Sequence, residues 1–189
     1  FIFDTENSAP KTNSAKINFM KTFCLLLVGL FFINAKNTYS QDFEVPKGYT
    51  LKAAADYALY EKNIINAAKW LTTTAFNDQP EKRRQVSVFV TEWVMGSPTV
   101  YISLHPVIMD FEKKNEGMLV VYMASCARYV LENNYSKDTA AKHRAALNDM
   151  ILVYKAGAGI RKDKKMEKLI KSGADNKLDE WIEVNFKIN

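Results

Sequence analysis

Apolar residues recur at helical spacing along most of the chain after residue 50. In the stretch 50–73 they fall at i, i+3 and i+4, which is typical of an amphipathic helix. The stripe consists of Ala54, Tyr57, Ala58, Glu61, Ile65, Ala68 and Leu71. We expect Thr50 to cap this first helix through its hydroxyl.

A second helix is predicted to begin after a short loop. Asp78 can cap it, Pro80 suits its first turn, and Glu81 can complete a capping box. Gly96 and Pro98 then end it. Because the connection to the first helix is short, the two should form an antiparallel hairpin.

The period changes from helical to alternating between residues 99 and 105. Apolar and polar side chains alternate there, which is a strand pattern: Val100, Ile102 and Leu104 against Tyr101, Ser103 and His105. A single strand has no ladder partner in a helical chain. We therefore expect an extended crossover that packs its apolar side onto the helices.

Four more helices are predicted after the crossover. The third, from Gly117 to about residue 133, is apolar nearly all round and should lie at the centre of the fold. The fourth starts at Ser136 or Asp138, and two shorter amphipathic helices follow around Leu169 and Trp181. The sequence predicts a single all-α domain of about six helices in antiparallel hairpins, with one short extended crossover.

Residues 20–41 have the order of a secretory signal peptide. Lys21 is followed by an unbroken apolar run, and then by a polar stretch in which Thr38 and Ser40 suit a cut before Gln41. A cut after Ala35 is the alternative. The apolar run is shorter than the about 20 residues that a membrane span needs.

The signal sets the division of the chain. Residues 1–19 are polar and lie upstream of a plausible initiator at Met20, so we interpret them as an over-long start outside the fold, or else as a long leader. Residues 20–40 form the signal peptide, and 41–189 form the helical domain. The predicted location is periplasmic or secreted, with no transmembrane span after cleavage.

Charge and cysteine content exclude two classes of protein. The net charge is +5, and the basic residues between Arg161 and Lys171 alternate with acidic ones. A nucleic-acid binder needs a denser basic stripe, so we expect a solvated helix here, with docking on anionic lipid as the alternative. Cys126 is the one cysteine left after cleavage, which excludes an internal disulfide framework.

The sequence carries no metal or catalytic motif, and no cofactor is predicted. His105 precedes Pro106 in a position where a loop could present it as a general base. His143 lies on the inner stripe of its helix, which favours a hydrogen-bonded core residue over a ligand. Cys126 shares the apolar stripe of the central helix, where a thiol is buried and inert unless it pairs with another chain.

Two further groups could contribute to a binding surface. Glu61 interrupts the apolar stripe of the first helix, so it should be paired, hydrogen-bonded or at the wet edge of the stripe. Tyr57 and Tyr60 lie near it in the sequence, Arg128 or Arg144 could be its partner in an internal ion pair, and a polar binding pocket is the alternative. Aromatic residues could line a groove, although helical spacing favours the core: Trp70, Trp93, Tyr101 and Trp181. Tyr101 lies on the solvent side of the crossover, whose free edge could accept a partner strand.

Two segments carry a resemblance to known proteins. Residues 93–100, Trp-Val-Met-Gly-Ser-Pro-Thr-Val, together with Asp-Tyr-Ala-x-Tyr-Glu-Lys at 56–62, resemble a group of small, exported, helical bacterial proteins of uncharacterised activity. The Ser-Gln end of the leader is similar to that of envelope proteins of Gram-negative bacteria. The resemblance implies export and helices, and it transfers no site residues.

The sequence thus favours an exported, non-catalytic helical protein of the bacterial cell envelope that binds a protein or a small ligand. The expected contact surface includes Trp93, Tyr101, His105 and Glu61. The alternative is a periplasmic hydrolase that uses Glu61, His105 or His143, which requires those groups to converge in one pocket. A third interpretation is an assembly role through dimers, either helix-packed or linked by Cys126.

Overall fold

A computed structural model describes residues 42–175 and 177–187 of the chain. Over those residues the fold is all-α, as predicted, with eight helices and no strand. The helices are α1 Ala54–Leu59, α2 Glu61–Thr73, α3 Pro80–Gly96, α4 Pro106–Lys114, α5 Met118–Glu132, α6 Thr139–Ala156, α7 Lys164–Ala174 and α8 Leu178–Phe186. The predicted upstream segment and signal peptide lie outside the described residues.

The structure has eight helices where the sequence pattern indicated about six. The first predicted helix is divided into α1 and α2, because the backbone leaves helical geometry at Tyr60, where φ is −105° and ψ is 4°. The second helix that was not predicted is α4. It starts at Pro106, and proline suits the first position of a helix. The predicted hairpin arrangement stays a prediction.

Two of the expected helix caps are wrong. Helix α1 starts after Ala53, and it is Asp56, not Thr50, whose carboxylate accepts backbone N–H groups there, from Lys52 and Ala53. Helix α3 starts after Gln79, which has a φ of 47° and makes no side-chain cap. Asp138, in contrast, caps α6 by accepting the N–H of Ala141 at 2.9 Å.

Helix α5 lies at the centre, as its apolar pattern predicts. All of its residues from 121 to 127 are buried, and it packs against α2, α3, α4 and α6. Its two sides pack into two different clusters of the core. Tyr122 and Cys126 pack with α4, α6, α7 and α8, whereas Ala124 and Ala127 pack with α2 and α3.

The segment 97–105, expected to be an extended crossover, connects α3 to α4 without forming a strand within the described residues. Val100 is buried, Tyr101 is 81% exposed and Leu104 is 50% exposed, so the alternation in burial does not continue to its end. Lys142 Nζ on α6 donates to the carbonyl oxygen of Tyr101 at 2.8 Å. This hydrogen bond attaches the segment to the core.

None of the described helices combines the length and the apolar content needed to cross a bilayer.

Candidate functional site

A cavity of about 570 Å³ lies between α4, α7 and α8. It is bordered by α4 up to Phe111, by one face of α7 and by the C-terminal half of α8. Its lining consists of His105, Pro106, Val107, Asp110, Phe111, Lys165, Lys168, Trp181, Val184, Asn185, Phe186 and Lys187. A volume of this size is typical of small-molecule sites.

One wall of the cavity is aromatic. The imidazole of His105 stacks on the ring of Phe186, with the centroids 4.1 Å apart and the planes within 4°. Trp181 meets Phe186 edge-on at 5.7 Å. Phe186 is buried, while Trp181 and His105 are half-buried, so the exposed parts of the Trp181 and His105 rings present aromatic surface to the cavity.

The lining of the cavity also carries cationic groups. Lys165 forms an ion pair with Asp110, which also accepts from Lys113 at 2.9 Å. Hydrogen bonds from these two lysines lower the pKa of Asp110 to about 2, so its carboxylate stays ionised. Lys168 and Lys187 line the same cavity and form no ion pair within the described residues. The lining therefore carries an excess of positive charge.

A second histidine lies behind the aromatic wall. The ring of His143, fully buried on α6, meets that of His105 at 5.3 Å and 83°, and Tyr122 Oη lies 2.6 Å from its Nδ1. Burial, with the nearby charge of Lys142, lowers the pKa of His143 to about 4. The pKa of His105 is lowered by the same two causes. Both imidazoles are therefore neutral near pH 7.

The buried lysine of this cluster, Lys142, was missed in the sequence. The sequence did contain an indication that Lys142 is buried. Lys142, Ala146 and Asp149 recur at i, i+4 and i+7 along the buried side of α6. Lys142 holds the carbonyl of Tyr101, four residues before His105. It thereby fixes the segment that presents His105 to the cavity.

The remaining reactive groups near the histidines are not activated. Burial raises the pKa of the Cys126 thiol to about 12, and it also raises that of Tyr122. Asp149, the carboxylate nearest on α6, is bound to Arg128 at 2.9 Å. Within residues 42–175 and 177–187, neither histidine has a hydrogen-bonded carboxylate that could orient it as a general base.

The structure separates the residues that the sequence analysis combined. Trp93 is completely buried, and its indole N–H donates to the carbonyl of Tyr57 at 2.9 Å. Glu61 accepts a hydrogen bond from Tyr135 at 2.8 Å at the surface. Of the four proposed contact residues, His105 alone lines the α4–α7–α8 cavity, a statement that covers the described residues.

The partners expected for Glu61 are engaged elsewhere. Arg128 binds Asp149, and Arg144 forms an ion pair with Asp179. The prediction that one of them neutralises Glu61 is therefore wrong. The hydrolase interpretation required Glu61 and the two histidines in one pocket, and the structure brings together only His105 and His143.

A second cavity, of about 590 Å³, borders α3, α4 and α5. Two of its charged groups, Arg83 and Glu112, already bind the backbone. Arg83 Nη2 donates to the carbonyl of Thr74 at 2.8 Å, and Glu112 accepts the N–H groups of Gly117 and Leu119 at the start of α5. Because these contacts cap helices, the α4–α7–α8 cavity is the better candidate for a ligand.

The described residues contain no group of three or more His, Cys, Asp or Glu side chains placed to hold a metal ion. Comparison with protein-family models, curated proteins and solved structures finds no match to this chain. The resemblance to small exported helical proteins stays a prediction.

Proposed function

We propose that the protein is an exported helical protein of the bacterial cell envelope that binds a small organic ligand in the α4–α7–α8 cavity and performs no chemistry on it. The observation that carries this proposal is the cavity itself, which combines an aromatic wall of His105, Phe186 and Trp181 with a cationic side. A concave, largely apolar site with a few polar groups is the usual form of a small-molecule site.

Binding fits these residues better than catalysis does. A hydrolase needs an oriented base next to a reachable substrate bond. His143 is fully buried, and the pKa values of Tyr122 and Cys126 are raised by burial, so that neither forms a nucleophilic anion near pH 7. Glu61 is hydrogen-bonded to Tyr135 outside the cavity.

Ligand binding is tested by fluorescence energy transfer to an uncharged aromatic probe, N-phenyl-1-naphthylamine. Trp181 lines the cavity and is half-buried, whereas Trp70 and Trp93 are buried in the core. We expect saturable sensitised emission from the bound probe, with a stoichiometry of one. Trp181→Phe removes the donor in the lining but keeps an aromatic ring there, so the transfer should fall while probe binding persists.

A pair of exposed variants separates the cavity from general surface binding. Val184 lines the cavity and is 71% exposed, so Val184→Tyr narrows the site without disturbing the core. Leu152 on α6 is 61% exposed and lies outside the lining. Weaker probe binding in Val184→Tyr but not in Leu152→Tyr is expected. Equal binding in both variants would contradict the proposed site.

Export rests on the leader pattern and has a separate test. We expect the chain, expressed in a Gram-negative host, to be recovered from the periplasm with a mass that corresponds to cleavage before Gln41. An uncleaved cytoplasmic product would contradict export and leave the cavity proposal standing.

A protein partner is the second candidate, and one observation favours it. The backbone N–H groups of Tyr101, Ile102, Ser103 and Leu104 have no hydrogen-bond partner within the described residues, and an extended peptide could pair with them. Pairing with a partner strand is tested by crosslinked capture from cell envelopes. The variant Ser103→Pro removes one of these backbone N–H donors and is captured in parallel with the parent chain. The same partner captured by both proteins would exclude pairing at this segment.

A further inference from the structure

We infer that the ligand of the α4–α7–α8 cavity is an organic anion with a flat aromatic part, whose charge is held by Lys168 and Lys187. This inference rests on the proposed ligand-binding function and names the class of ligand. It is carried by the distribution of charge around the cavity, by the aromatic wall, and by the size of the space between them.

The charges of the lining do not cancel. Among the described residues that line the cavity, three are lysines and one is an aspartate. Asp110 already pairs with Lys165 and also with Lys113 outside the lining, so it cannot neutralise Lys168 and Lys187 as well. An anion that enters the cavity meets two ammonium groups without a competing carboxylate at hand.

The acidic residues on the two helices that supply these lysines lie outside the cavity lining. On α7, Glu167 accepts a hydrogen bond from Tyr154 at 3.0 Å. On α8, Asp179 forms an ion pair with Arg144. Neither Glu180 nor Glu183 belongs to the lining. Among the described residues, Asp110 is therefore the one carboxylate of the lining.

The aromatic wall defines the rest of the ligand. His105 and Phe186 are stacked within 4° of parallel, and the lowered pKa of His105 keeps its ring uncharged near neutral pH. The wall therefore offers the partly exposed aromatic rings of His105 and Trp181 and no positive charge. A ligand satisfies both sides of the site when its ring lies against this wall and its acidic group reaches the lysines.

The volume limits the size of the ligand. A cavity of about 570 Å³ suits a molecule of one or two rings with a carboxylate, sulfonate or phosphate group. It is too small for a folded partner or a polymer. Because Coulomb attraction is stronger in a partly dehydrated cavity than in water, the acidic group should contribute to affinity as well as to orientation.

Two dyes with one aromatic skeleton test the inference on the full chain. N-phenyl-1-naphthylamine is uncharged, and 1-anilinonaphthalene-8-sulfonate adds a sulfonate to the same rings. From two partly exposed lysine contacts we expect the sulfonate to bind about five to ten times more tightly at low salt. This preference should shrink at about 0.5 M salt, where charges are screened within a few ångströms.

A matched pair of double variants locates the charge. Lys168→Gln with Lys187→Gln should abolish the preference for the sulfonate and leave the uncharged dye unaffected. Lys155→Gln with Lys162→Gln removes the same charge at exposed positions outside the lining and should leave the preference intact. All four lysines are exposed, so both proteins should fold, which circular dichroism checks.

The outcomes distinguish this inference from the proposed function. Saturable and equal binding of both dyes would overturn the anion class and keep the cavity as a binding site. Loss of the preference in both double variants would assign it to net charge and overturn the role of Lys168 and Lys187. Binding of neither dye would contradict the proposed function itself.

Discussion

Tyr122 Oη and His143 Nδ1 lie 2.6 Å apart in the buried interface between α5 and α6. The other ring nitrogen of His143, Nε2, is buried and has no hydrogen-bond partner within the described residues. Protonation would place a charged imidazolium with an unpaired donor close to the ammonium of Lys142. The fold therefore requires a neutral His143, and its pKa of about 4 expresses this requirement.

The first prediction concerns stability and pH. The pKa of His143 is about 4 in the folded chain against an ordinary value of 6.5, so between these values the unfolded chain binds more protons and stability rises with pH. The contribution of His143 is complete above about pH 6.5 and is lost as the pH falls toward 4. Between pH 7 and pH 5 we expect a loss of about 2 kcal/mol in urea unfolding.

A variant isolates this effect from other titrations. His143→Gln removes the ionisable group, so its free energy of unfolding should fall less over the same pH interval. The pKa of His105 is lowered in the same direction, so part of the slope should remain. Parallel stability curves for the variant and the parent chain would contradict a buried neutral His143.

The second prediction concerns two adjacent arginines of α3. Arg83 stacks its guanidinium over Trp70 and Phe76, at 5.4 and 4.9 Å from the ring centroids, and donates to the carbonyl of Thr74. Arg84 is exposed and pairs with Glu81 in the same turn. Arg83→Ala should lower the free energy of unfolding by about 2 to 3 kcal/mol, since stacking and capping are both lost.

The neighbouring residue provides the control. Arg84→Ala removes an exposed ion pair and should leave the free energy of unfolding nearly unchanged. Arg83→Lys keeps the charge but not the planar guanidinium. Its free energy of unfolding should lie between those of Arg83→Ala and Arg84→Ala. If both alanine variants unfold at the same urea concentration, the capping role of Arg83 is wrong.

The third prediction concerns Cys126. Its side chain is fully buried, and burial raises the thiol pKa to about 12, so almost no thiolate is present or reachable at pH 8. In a Cys24→Ser chain we expect negligible reaction with a thiol reagent under native conditions and full reaction in urea. Rapid native labelling would revive the interpretation that dimers are linked through Cys126.

Helix α5 and helix α4 show which parts of the fold the sequence could predict. Helix α5 is apolar on all sides over a whole helix length, so its central place follows from its composition. Helix α4 presents two fully buried side chains, Ile108 and Phe111, too few for a periodic signal. It also follows a segment whose strand-like alternation extended to His105. No element was therefore predicted for residues 106–114.

The cavity could be predicted only in part, for a different reason. His105 was identified because it precedes Pro106, and Trp181 belonged to the aromatic set. Their common neighbour, Phe186, lies 81 positions after His105 in the chain, and only tertiary packing brings the two rings together. Trp93 was included in the expected contact surface although its helical spacing favoured the core, and its indole N–H meets a backbone carbonyl in the core.

The last prediction compares two glycines in the loop between α6 and α7. Gly157 and Gly159 have almost the same backbone conformation, with φ values of 76° and 79°, so an alanine at either site pays a similar cost of about 1 to 2 kcal/mol for the left-handed geometry. Their surroundings differ. A Cβ on Gly157 would meet only a carbonyl oxygen at 3.8 Å, whereas a Cβ on Gly159 would lie 2.8 Å from the backbone nitrogen of Asn77.

The difference in the free energy of unfolding between Gly157→Ala and Gly159→Ala therefore measures how tightly this loop packs against residue 77. Because backbone cannot move aside as a flexible side chain can, Gly159→Ala should be less stable than Gly157→Ala by at least about 1 kcal/mol in urea unfolding. Gly48→Ala, with a φ of 64° and nothing within 4 Å of its Cβ, gives the conformational cost alone and should resemble Gly157→Ala. Equal losses for all three variants would mean that the contact between Gly159 and Asn77 does not constrain the fold.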